Sequence, residues 1–181
     1  MEALQGFVRG IDALNDWIGR TVAWLALGCV VTCFAVVVLR YAFNIGFPWL
    51  QEMYVWQHAA VFMAGAGYTM LHRGHVNVDV LYGQLNDRRK AWIDILGTLI
   101  FLLPTCAILA WLSWPFFMQS FNVFEGSSNA GGLLRWPIKL VLPVGFVLVA
   151  LQGLSELIKR VAFLNGIPVE SLEAHYERPT Q

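Results

Sequence analysis

Charge is scarce in this sequence. Only 13% of its 181 residues are Asp, Glu, Lys or Arg, about half the roughly 25% usual in a soluble domain. Formal net charge is zero and no dense basic patch occurs, so nucleic acid is not an expected partner. Cysteine is nearly absent: Cys29, Cys33 and Cys106 make no disulfide framework. All three lie in apolar windows, where thiols pack as small residues. No Gly-x-Ser-x-Gly elbow, HExxH or Gly-rich phosphate loop is present. No enzyme chemistry, catalytic residue or cofactor is therefore expected. The short alternating segments of a membrane β-barrel are missing too.

What the chain does have is long uncharged windows. Thr21 to Leu39 lies between Arg20 and Arg40; its length as a helix is roughly 28 Å, close to a bilayer core. Met53 to Leu71 and Ile95 to Phe124 are comparable, and Trp136 to Leu154 is interrupted only by Lys139 near its start, which can snorkel outward. Backbone amides in hydrocarbon must be satisfied within their own segment, which makes these segments helices. Pro104 is expected to kink the third window and Pro115 to end it or turn it into the interface. The fold class read from this pattern is an all-α integral membrane protein, with four transmembrane helices and interfacial amphipathic helices. Residues 1–16 form an N-terminal amphipathic interfacial helix. Residues 17–162 form a four-helix membrane domain, with spans at about 20–40, 50–71, 92–115 and 136–158. Residues 163–181 are a cytoplasmic tail.

Basic residues set the orientation. Arg9, Arg20, Arg73, Arg88, Arg89, Lys90, Lys159, Arg160 and Arg178 fall on one side, against Arg40, Arg135 and Lys139 on the other. Both termini and the middle loop are thus expected in the cytoplasm. Leu4, Phe7, Ile11, Leu14 and Ile18 recur at helical spacing, opposite Glu2, Arg9, Asp12 and Asp16. That pattern suits a helix lying in the membrane surface with its charged side in water. Val76, Val80, Leu81 and Leu85 give the middle loop a similar face, and Asn86 or Asp87 is positioned to cap the next helix. The outer stretch Gly126 to Gly132 reads as a flexible turn.

Ionisable groups at membrane depth are costly and point to function by default. His58 is one. Gln51, His58, Gly65 and His72 recur every seven residues, a polar stripe expected to face protein, with His58 binding helices together. Glu52, at the outer end of the same helix, has Arg40 or Arg135 as prospective partners. Gly145, Gln152, Glu156 and Lys159 share one face of the last span, and Glu156 with Arg160 reads as a local surface pair. His72, His75 and Asp79 share a helical face but fall short of a zinc ligand set, so no metal is expected.

Arg40-Tyr41-Ala42-Phe43-Asn44 closes the first span and Trp49-Leu50-Gln51-Glu52 opens the second. Arg73-Gly74-His75-Val76-Asn77-Val78-Asp79-Val80-Leu81 follows it. In order and spacing this succession resembles the small membrane subunit (Q, or small permease) of TRAP transporters, over roughly residues 15–162. The resemblance implies a bacterial inner-membrane secondary transporter, multi-pass, not driven by ATP. A large membrane subunit moves an organic acid or similar solute by symport with sodium, a periplasmic solute-binding protein delivers it, and the small subunit is a scaffold. It also implies that Arg40, Asn44 and Glu52 belong to an outer-side motif and His75 and Asp79 to a cytoplasmic loop motif, all structural or partner-contacting. Gln51 departs from the pattern, where many relatives carry a second acid. The alternative is a membrane anchor subunit of a multi-subunit redox enzyme. Bis-histidine haem within the spans is excluded, since spans one, three and four hold no histidine.

Overall fold

The computed structural model describes residues 2–72, 74 and 85–167. His75, Asp79, the middle-loop amphipathic face and the tail from residue 168 lie outside the described residues. Among the described residues all regular secondary structure is helical. α1 is Glu2–Ala42, α2 Pro48–Leu71, α3 Asp87–Gly97, α4 Leu103–Asn122 and α5 Trp136–Leu164, with a π turn at Thr98–Leu102 joining α3 to α4.

Among the described residues three helical runs, not four, are long and apolar enough to cross a membrane: Leu4–Ala42, Asp87–Asn122 and Trp136–Leu164. α2 is long enough at 24 residues, but Gln51, Glu52, Gln57 and His58 dilute its apolar character. By length and composition, then, the described helices show three crossings where charge spacing alone leads us to expect four. α1 also runs unbroken through residues 16 and 17. Its 41 residues span about 61 Å, twice the hydrocarbon core.

Packing is inside-out relative to a soluble protein. The largest fully buried side chains are Gln152, Asn15, Ser120 and Ser155, while Trp24, Phe34, Phe101 and Trp111 are each more than two-thirds exposed. Helices in lipid gain little from hiding apolar groups from one another and are joined instead by close packing and polar contacts. α2 runs antiparallel to α1, with Gly19 against Tyr68, Val22 against Gly65 and Gly28 against Gln57; the Cys29 thiol donates to the Tyr54 carbonyl at 3.4 Å. On its other side α2 packs on α5. There Gly145 lets the two backbones approach, since a Cβ would come 2.9 Å from the Met63 carbonyl oxygen. α4 packs on α5, where Phe121 meets Trp136 edge-on at 5.3 Å.

The prolines act differently from expectation. Pro115 does not end its helix, which continues to Asn122. Ahead of Pro104 the helix widens into the π turn, with Leu103 N–H donating to the Thr98 carbonyl. A proline ring collides with the carbonyl four residues back, and the wider turn moves that of Ile100 aside. Asn86 caps α3, its side chain accepting from Asp87 N–H at 3.0 Å.

Candidate functional site

Two polar clusters tie the helices together, one at each end of the layer. At the end holding the N-terminal part of α1, Asp12 and Asn15 face α5 across one contact. Asp12 Oδ1 accepts from Gln152 Nε2 at 3.0 Å and from Ser155 Oγ at 2.7 Å. Lys159 Nζ lies 2.7 Å from Asp12 Oδ2 and 2.9 Å from Glu156 Oε1, with only 4% of its side chain exposed. Asn15 Nδ2 donates to Gln152 Oε1 at 3.0 Å. Gly67 of α2 makes room for it, since a Cβ there would come 2.2 Å from Asn15 Oδ1. One buried ammonium therefore holds a carboxylate of each helix, and charge-assisted bonds of this kind are the strong ones.

This reverses part of the sequence reading. The acidic side of the first helix is not turned wholly to water: Asp12 and Asn15 point at α5, while Leu4, Phe7, Leu14 and Trp17 are exposed. Glu156 does not form a surface pair with Arg160. It bonds Lys159, and Arg160 reaches Asp94 of α3. Asp16 takes Arg20 at 2.8 Å and His72 Nε2 at 2.9 Å. The signal was present as two polar faces, on α1 and α5, larger than the one local pair of Glu156 with Arg160 accounts for.

At the opposite end Glu52 is the hub. Its Oε1 accepts from Ser127 Oγ and, at 3.0 Å, from Asn129 Nδ2; its Oε2 accepts from Leu133 N–H at 2.7 Å. The stretch expected to be a flexible turn is thus folded around one carboxylate. Neither Arg40 nor Arg135 is its hydrogen-bond partner. Arg135 instead reaches Ser128 at 2.8 Å and Glu125 at 3.8 Å. Lys139 also bonds Glu125 and sits over the Phe116 ring at 4.1 Å. Glu52→Gln puts an amide N–H where an acceptor is needed. We expect several-fold faster limited proteolysis between residues 126 and 132, with Glu52→Asp intermediate.

Lys139, with help from the Arg135 charge, holds the Glu125 carboxyl below its ordinary value of 4.5. A carboxylate with a depressed folded-state value adds stability above the unfolded value, and loses it as pH falls through the folded one. The outer turn should therefore loosen only at pH values below 4.5. Labelling of a cysteine placed at Ser128 reports this, and Glu125→Gln should weaken the pH dependence, leaving the part that the Glu52 carboxylate contributes to the same turn.

Asn44 and Arg40 occupy the α1–α2 turn. Asn44 adopts φ +57°, a left-handed conformation that Asn tolerates better than other side chains, and Ile45 N–H closes back onto the Leu39 carbonyl at 3.0 Å. Arg40, Asn44, Ile45, Gly46, Pro48 and Gln51 line a groove of about 380 Å³. His58 does not face the neighbouring helices as its stripe implied; it is exposed. Of the residues singled out, the structure joins Glu52 to the outer turn and Arg40 to Asn44, and leaves His58 apart. Among the described residues no group of three or more His, Cys, Asp or Glu is placed to hold a metal ion.

Residues 28–163 match the family described as tripartite ATP-independent periplasmic transporters, DctQ component. Comparison with curated proteins and with solved structures returns no match.

Proposed function

The chain belongs to the DctQ component family of tripartite ATP-independent periplasmic transporters, and from that premise we propose that it is the small, non-catalytic scaffold subunit supporting a large translocating membrane subunit. The solute is an organic acid or similar molecule, taken up by symport and delivered by a periplasmic solute-binding protein. Membership of a transporter family gives no support to a redox anchor.

The observation that carries the scaffold role is the cross-tying of the helix layer at both ends. The Lys159 cluster fixes α1 against α5 and the Glu52 cluster fixes α2 to the turn that leads into α5, as suits a frame against which a partner moves. α2 is the fourth crossing in this reading. It lies alongside the apolar part of α1 from Tyr54 to Tyr68 and so shares its depth. The excess of basic residues beside the Lys159 end puts that end, and both termini, in the cytoplasm of a bacterial inner membrane. The first four turns of α1 then sit at the cytoplasmic boundary, with Leu4, Phe7 and Leu14 toward lipid.

Reconstitution tests this. Solute uptake into vesicles should require this chain, the large membrane subunit and the binding protein together. Flux through this chain alone overturns the assignment. A reporter fused after Gln181 should show cytoplasmic activity, and periplasmic activity there overturns the orientation.

A further inference from the structure

We propose that the open face of α2, formed by Gln51, Val55, His58 and Phe62, is the docking surface for a transmembrane helix of the large membrane subunit, and that His58 hydrogen-bonds a polar side chain on that helix. This rests on the scaffold reading above, with α2 as a crossing.

The geometry of α2 leaves one face uncovered. Tyr54, Gln57, Gly65 and Tyr68 meet α1, whereas Met63 and Gly67 meet α5 or lie against it. At about 100° per residue, positions 51, 55, 58 and 62 fall together on the remaining side. Val55 and Phe62 are 53% and 71% exposed, and His58 is exposed between them. His58 stands ten residues after Pro48, roughly 15 Å along the helix and near the middle of a bilayer core.

Lipid tails give an imidazole no hydrogen-bond partner. A neutral ring carries one donor and one acceptor, and a polar group facing hydrocarbon is costly unless another protein group meets it. The exposed face of α4 differs. Phe101, Ile108, Trp111 and Leu112 are apolar and need only lipid. Among the described residues of the four apolar windows, no Asp, Glu, Lys or Arg is exposed, and His58 is the one exposed histidine. A second copy of this chain is a poor occupant. Two-fold docking sets imidazole against imidazole, and a single bond between them leaves a ring nitrogen of each without a partner. A helix of different sequence can set an acceptor for one ring nitrogen and a donor for the other opposite His58, which satisfies both. At the outer boundary the same face runs into the groove of Arg40 and Asn44 through Gln51, which extends the contact into polar surroundings.

A photoreactive benzoylphenylalanine placed at position 58, in membranes carrying the whole transporter, should give an adduct shifted by the mass of the large subunit. The same probe at Trp111 should not. An adduct of two copies of this chain, no protein adduct at position 58, or equal adducts at both positions overturns the proposal. His58→Gln should keep most of the complex, while His58→Leu lowers co-purification several-fold at unchanged accumulation of this chain. Wild-type recovery with the leucine variant also overturns it. If wild type itself fails to co-purify with the large subunit, the scaffold reading falls first; if it does co-purify and position 58 behaves otherwise, only the docking face falls.

Discussion

Lys159→Met should destabilise the folded chain by ~3–5 kcal/mol, the usual cost of removing one partner from a buried ion pair. Lys159 is the cation held by both Asp12 and Glu156, and without it two carboxylates at the α1–α5 contact lose their counter-charge. Gln152 and Ser155 still donate to Asp12, so the loss is concentrated on charge rather than on hydrogen-bond count. Heat-induced loss of the monodisperse peak in detergent measures it. The combined variant Asp12→Asn, Glu156→Gln, Lys159→Met should recover most of the stability, because no charge is left uncompensated and the amide oxygen at position 12 still accepts from Gln152 and Ser155. A single variant as stable as wild type would mean that the cluster is hydrated and contributes little.

Gly145→Val carries the next largest effect, on the order of 1–3 kcal/mol from overpacking. The added Cβ meets a backbone atom, the Met63 carbonyl oxygen at 2.9 Å, and a backbone cannot swing aside as a side-chain end does. α5 and α2 must separate, which disturbs the Lys159 cluster where Gly67 of α2 lies against Asn15 and the Glu52 cluster where α2 holds the turn that leads into α5. Gly145→Ala should be milder and graded in the same direction. Disulfide trapping between cysteines at Met63 and Leu148 gives a direct reading, with slower trapping expected in the valine variant.

Much of the helix pattern was legible because charge spacing reports which stretches lipid can solvate. Thr21 to Leu39 and Trp136 to Leu154 fall within observed helices, and the third window is helical from Ile95 to Asn122, two residues short of its end. The side to which each polar residue turns was less legible. A stripe of Asp12 and Asn15 looks the same in sequence whether water or α5 meets it, since the partner residues lie about 140 positions away. Which surface His58 turns to was hidden for a related reason. Heptad spacing gave it a face in common with Gly65, yet Tyr54, Gln57 and Tyr68 fill the α1 contact and leave the imidazole outside. The π turn was foreshadowed only by Pro104, whose ring can be accommodated by a kink or by a widened turn. Glu52 was recognised as important, but its partners come from a Gly- and Ser-rich stretch with no periodicity to announce a fold.

The Asp12–Lys159 contact also sets a timetable for biogenesis. At ribosomal rates of about 5–20 residues per second, Lys159 is made roughly 7–30 s after Asp12. Throughout that interval α1 carries a recognition surface with nothing to recognise, and it must wait in the headgroup region where Asp12 stays hydrated. A nascent chain halted before α5 would keep that carboxylate and amide unmatched, a mark by which membrane surveillance proteases can tell an unfinished subunit from a completed one.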